Sequence, residues 1–151
     1  MKSILSAVFI AAFAASAQAQ TPQENPAGLL IVDATQTDLA EFKWKNRPVV
    51  VFADSANDPA FIEQMELIAV DAARLAERDV VVITDTDPDA RSDIRLRMRP
   101  RGFMLTLVGK DGQLKLRKPF PWDVREITAS IDKMPMRQRE IRERKETAQG
   151  S

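Results

Sequence analysis

Residues 48–53 read Pro48-Val49-Val50-Val51-Phe52-Ala53. A continuous apolar run of this kind, rich in β-branched residues, suits a strand buried on both faces. Residues 80–83 repeat it as Val80-Val81-Val82-Ile83, and residues 103–108 form a third apolar run. Between the first two lies a polar loop, 54–58, and then Asp58-Pro59, an N-cap residue followed by proline at the first helical position. Phe61, Met65, Ile68, Ala72 and Leu75 then fall on one stripe, which predicts a helix over 59–77. Asp87-Pro88 repeats the capping signal and predicts a helix to about residue 98.

On the C-terminal side, Asp111-Gly112 stands between two strand-like runs. This spacing predicts a two-residue hairpin with both central residues at positive φ. The return strand, 114–118, alternates leucine with lysine or arginine, so its leucines should face in and Lys115 and Arg117 out. Asp123 with Glu126 has the capping-box spacing, ahead of a stripe of Val124, Ile127, Ile131 and Met134 that Pro135 interrupts. The charged stretch that follows pairs Glu140 with Arg144 at i,i+4, as on a solvated helix. On the N-terminal side, residues 29–32 suggest a strand, and Asp38 with Glu41 caps a short helix. The expected fold is α/β and thioredoxin-like: a central mixed sheet flanked by helices, with a C-terminal β-hairpin and a kinked helix.

The chain has 151 residues, enough for one domain. Lys2, the apolar run 4–15 and Ala17-Gln18-Ala19 have the form of a cleavable secretory signal, 1–19, placing the mature N-terminus at Gln20. The expected organisation is a flexible N-terminus with a short strand at 20–37, the domain at 38–142 and a charged tail at 143–151. The protein is expected in the periplasm or secreted, with no membrane association after cleavage.

Lys and Arg number 22, as do Asp and Glu, while Cys, His and Tyr are absent. The chain therefore has no thiol nucleophile, no imidazole base and no Cys/His zinc site. It is neither a thiol oxidoreductase nor a thiol peroxidase. Neutral bulk charge argues against nucleic acid as a partner. No cofactor, metal or catalytic set is expected. Asp85-Thr86-Asp87-Pro88-Asp89 resembles the start of a calcium loop, but Ala90 and Leu96 occupy the positions that need Gly and Glu. Helix capping accounts for those aspartates.

Four stretches carry a family resemblance: residues 42–53, 77–82, 102–112 (Gly102 through Gly109-Lys110-Asp111-Gly112) and 131–140 (through Met134-Pro135-Met136-Arg137). Together they resemble the bacterial domain-of-unknown-function family 4174. That family is similar to domains of the animal extracellular sushi-repeat-containing protein X-linked and coiled-coil domain-containing protein 80. The resemblance spans roughly residues 38–142 and implies a thioredoxin- or peroxiredoxin-like fold. Against a working thioredoxin, the loop 53–58 lacks the paired cysteines, and Met104 stands where the cis-proline would.

Fold alone does not set function. The first reading is a non-catalytic binding or scaffold module of the cell envelope, with a protein or anionic polymer as partner. The candidate surface is Lys110, Lys115 and Arg137, with Arg47 and Gln64 contributing. Turn chemistry and core packing explain the neighbours of these cations and leave the cations themselves over. As exposed residues, Lys110 and Arg137 should contribute about 0.5 kcal/mol or less to folding. The alternative is a cysteine-independent enzyme using carboxylate, Lys or Ser groups near Asp54, Ser55 and Asp58, with Lys45 needed to activate the serine.

Overall fold

A computed structural model of the chain describes residues 22–150. The signal segment 1–19 and the cleavage site lie outside the described residues. The strands are β1 (Gln23–Glu24), β2 (Leu30–Asp33), β3 (Arg47–Phe52), β4 (Val80–Asp85), β5 (Met104–Val108) and β6 (Leu114–Lys118). The helices are α1 (Pro59–Val70), α2 (Ala72–Ala76), α3 (Asp93–Met98), α4 (Val124–Asp132) and α5 (Pro135–Gln149). One sheet runs in the order β1-β2-β4-β3-β5-β6. β2, β4 and β3 are parallel, and β5 and β6 return antiparallel.

The run that opened the sequence reading is the sheet's centre. Every residue of β3 is buried, and its side chains alternate between two cores. Val49 and Val51 pack with Leu105, Leu107, Ile68, Leu75 and the α4 stripe. Val50 and Phe52 pack on the other face with Val81, Ile83, Ile94 and Met98. Period-two alternation thus feeds a core on each side of the sheet.

Local geometry departs from expectation at several places. β2 is an inner strand, and Leu29 is fully buried, so the packed unit starts ahead of residue 38. The helix expected over 59–77 breaks at Asp71 (φ −116°, ψ 27°); Ile68 before the break and Leu75 after it still share one core. The helix expected after Pro88 is instead a 3-10 turn, then Arg91 at φ 49°, then α3 capped by the Ser92 hydroxyl, which accepts from the Arg95 N–H. Pro135 does not kink one helix; it starts α5 at the first helical position, and the expected tail lies within that helix.

The hairpin turn is also longer than expected. The Gly109 N–H donates to the Gln113 carbonyl and the Gly112 N–H to the Gly109 carbonyl. Gly112 has φ 78°, while Asp111 is not in the left-handed region. This is a three-residue loop closed by a left-handed glycine. Further along, Val108 pairs with Leu114 and Leu107 with Leu116, so the ladder skips Lys115. The bulge puts Lys115 beside the Leu116 face and sends Arg117 to the opposite face, where it donates to the Met98 carbonyl at 2.9 Å.

Val51 is wholly buried in the central strand. Val51→Asp should destabilise the domain by about 3 kcal/mol or more, because an unpaired carboxylate replaces a packed side chain. Urea denaturation followed by circular dichroism checks this; a variant of unchanged midpoint would remove β3 from the centre of the fold.

Candidate functional site

Topology gathers charge at one end of the sheet. β3 and β4 are parallel, so Arg47 and the segment before Val80 start side by side. β5 runs the other way, so its closing turn, with Lys110, arrives at the same end. The Arg47 side chain is 1% exposed. Its guanidinium donates to the Arg78 carbonyl at 2.9 Å and to both carboxylate oxygens of Glu140 at 3.3 and 3.0 Å. Lys110 donates to the same carboxylate at 2.7 Å and to Asp79 at 2.8 Å. Arg137 adds a third donor to Glu140 at 3.2 Å. Beside this hub, Arg78 holds Asp132 through two bonds of 2.9 and 2.8 Å.

Burial pushes the Glu140 carboxyl up. The hydrogen bonds from Arg47 and Lys110, the Arg47 charge and the Arg137 hydrogen bond outweigh it and hold the group at about 2. Asp132 is likewise held below its ordinary value, chiefly by the Arg78 hydrogen bond. These carboxylates tie α4 and α5 to the strand ends.

In front of the hub lies a groove of about 790 Å³. Its floor includes Leu116, Trp122, Met134 and Met136, and its rim carries Lys115, Lys118, Lys133 and Arg139, with Arg47 and Lys110 at the back. Asp111 is the one acidic residue among the groove-lining side chains. It bonds Lys115 at 2.8 Å, and that bond heads the causes holding its carboxyl below the ordinary value. Lys118 sits 4.6 Å from the centroid of the Trp122 ring. Among the described residues, Lys118, Lys133 and Arg139 form no ion pair. The arrangement suits a ligand that is anionic and partly apolar.

The five residues singled out in sequence converge here in two roles. Arg47, Lys110 and Lys115 line the groove. Arg137 and Gln64 stand behind it. Gln64 is fully buried and braces Trp122, donating to its carbonyl at 3.0 Å and accepting from its N–H at 2.7 Å. The expectation that Lys110 and Arg137 are exposed fails: their side chains are 11% and 6% exposed, because each is drawn in by the half-buried carboxylate of Glu140. Sequence reasoning missed Glu140 as the hub, along with Lys118, Lys133, Arg139 and Trp122. The available signals were the i,i+3 spacing of Glu140 from Arg137, with which it pairs at 3.2 Å, and its position at the end of the 131–140 block.

The opposite end of the sheet, where a thioredoxin keeps its thiols, is filled by another buried pair. Arg95 donates to Asp85 at 2.9 Å and to the Ala53 carbonyl at 2.7 Å, and the Ser92 hydroxyl donates to Asp85 at 2.6 Å. Asp85 is thus engaged by Arg95 and Ser92, and Asp87 caps the 3-10 turn. Among the described residues no cluster of three acidic side chains stands ready for a metal. In the loop 54–58, the Ser55 hydroxyl accepts from the Asn57 N–H and Asp58 caps α1. Lys45 precedes β3 and Ser55 follows it, so a six-residue strand of about 17 Å separates them. The lysine cannot activate that serine.

The family described as "Domain of unknown function (DUF4174)" matches residues 38–140. Among solved structures, desulfothioredoxin of Desulfovibrio vulgaris Hildenborough aligns with a TM-score of 0.52 at 19% identity, covering 69% of this chain and 97% of that one. It supports the thioredoxin-like fold. The mitochondrial 2-Cys peroxiredoxin of Plasmodium falciparum aligns less well, with a TM-score of 0.47 at 15% identity over 64% of this chain and 79% of that one.

Because the Glu140 pKa is lowered from 4.5 to about 2, its contribution is complete above pH about 4.5. It is lost as pH falls towards 2, by about 2 kcal/mol or less once solvent screening is allowed for. Glu140→Gln should cost a similar amount at pH 7, since it strands Arg47, and should flatten the acid dependence over that window. Lys110→Ala and Arg137→Ala should each cost about 2 kcal/mol, well above the figure for exposed residues. Urea midpoints measured from pH 7 to pH 2 check all three; a Glu140→Gln protein with wild-type stability and acid dependence would refute the hub.

Proposed function

The chain belongs to the DUF4174 family, and we propose that its domain is an exported, non-catalytic binding module of the cell envelope. Its partner is anionic and is held in the groove between β6, α4 and α5. The chain has no cysteine, so a thioredoxin-like fold here operates without thiols. The observation that carries the reading is the convergence of Lys118, Lys133 and Arg139, without counterions among the described residues, on a concave floor containing Trp122 and Met134. Dispersed surface lysines would serve solubility equally well. Cations around a concave, partly apolar floor supply in addition the attraction and the desolvated contact that recognition needs. Behind them the Arg47–Glu140 hub fixes the groove wall, so little ordering remains for a ligand to impose.

The buried arginine at the far end of the sheet does not compete for this role. Arg95 is committed to Asp85 and Ala53, and the loop beside it is occupied with capping. Export follows from the signal-like segment 1–19, and the neutral overall charge keeps the attraction local to the groove.

With Trp44→Phe in place, Trp122 is the only tryptophan and reports on the groove. Dextran sulfate and dodecanoate are suitable defined probes. At least one should change Trp122 emission saturably, and the triple variant Lys118→Glu, Lys133→Glu, Arg139→Glu should abolish the change. If the triple variant binds as well as its parent, the groove is not the recognition site. Intact-mass measurement of the exported protein should give an N-terminus at Gln20; a full-length chain retained in the membrane would overturn the export reading.

A further inference from the structure

The binding reading leaves the chemistry of the occupant open, and the sheet edge narrows it. β6 is the last strand in the sheet and pairs only with β5. Among the described residues no hydrogen bond reaches the backbone of Leu114–Lys118 from its outer side. This open edge borders the groove, which Lys115, Leu116 and Lys118 line from β6 itself. An open strand edge offers a row of N–H and C=O groups at fixed spacing, which an extended chain can satisfy and a compact anion cannot.

We propose that the groove takes an extended acidic peptide segment of a partner protein, which pairs its backbone with β6. The inference rests on the binding reading above. Charge complementarity sets the sign. Every second residue of an added strand faces the groove, where Lys118 from β6, Lys133 from the end of α4 and Arg139 from α5 await carboxylates. On the other face of β6, Arg117 donates to the Met98 carbonyl and shares its surface with Lys43, Arg97, Leu39 and Met98. The groove side, with its unpaired cations, fixes where the carboxylates of the segment fall: on the alternate residues that face the groove. The bulge at Lys115 marks one end of the usable edge, because the strand's regular spacing is broken there. Lysines on the edge also act against self-pairing: a second copy of β6 would set Lys118 and Lys115 against like charges, whereas an acidic strand meets opposite ones.

The test titrates the Trp44→Phe protein with an acetylated, amidated heptapeptide of alternating glutamate and valine, read by Trp122 emission. Two companions accompany it: the same peptide with glutamine for glutamate, and one N-methylated at alternate residues on the edge that would face β6. The acidic peptide should bind saturably. N-methylation should weaken it about tenfold or more, as expected for loss of two or more backbone hydrogen bonds. Lys133→Gln with Arg139→Gln, both exposed and without ion pairs, should also weaken it about tenfold while urea stability stays unchanged. Equal binding of the glutamine peptide would overturn the charge assignment, and equal binding of the N-methylated peptide would overturn strand pairing. If dodecanoate or dextran sulfate binds at the groove and the peptide does not, the peptide inference falls while the binding reading stands. If no probe binds, both fall.

Discussion

A fully buried arginine at the first position of the central strand sets the problem that the rest of this end of the molecule solves. Arg47 cannot lose its charge, and removing a guanidinium from water costs several kcal/mol unless its donors are met. One terminal nitrogen reaches the Arg78 carbonyl in the turn before β4, and both terminal nitrogens reach Glu140, which lies 93 positions along the chain. The same carboxylate accepts from Lys110 and Arg137, so a single acid ties the central strand, the hairpin and the last helix together. The position of α5, and with it the groove between α5 and β6, follows from that tie.

The sheet carries a second buried arginine at its other end, and the two divide the molecule's chemistry. Arg95 with Asp85 and Ser92 closes the carboxyl ends of β3 and β4, the place where ligands commonly bind in α/β sheets. With that end plugged by a paired charge and the loop 54–58 committed to turns and caps, the open concave surface shifts to the amino ends of the same strands. Arg47 and Lys110 face it but spend their charge on Glu140. The cations left for a ligand stand on the rim, on β6, α4 and α5. Buried groups hold the shape, and exposed ones remain free to recognise.

Gln64 shows how the apolar side of the site is built. A fully buried amide on α1 must satisfy its donor and acceptor, and it does so on the backbone of Trp122. The segment between β6 and α4 is thereby pinned, and the indole is set in the groove beside Lys118. A residue that carries no charge towards a ligand still belongs to the site, because it fixes the position of one that does.

What the sequence determined by itself is local or compositional. Five consecutive apolar residues placed the central strand, and aspartate-proline pairs placed the starts of α1 and the turn before α3. Missing cysteine, histidine and tyrosine excluded thiol and imidazole chemistry before any coordinates were known. These inferences hold because periodicity and capping act over a few residues, and because absence needs no geometry. The tertiary structure decided the rest. It buried Lys110 and Arg137, which their composition and turn setting suggested were exposed, and it found their partner in Glu140. It introduced the bulge that turned Lys115 towards the groove and Arg117 away from it, which alternation alone had put together on one face. It also carried the helical signal of the tail into α5, whose packing makes one wall of the groove. The reason is one of range: a carboxylate 93 residues from its arginine leaves no periodic trace, and only the pairing of parallel strands with an antiparallel return brings those ends to the same place.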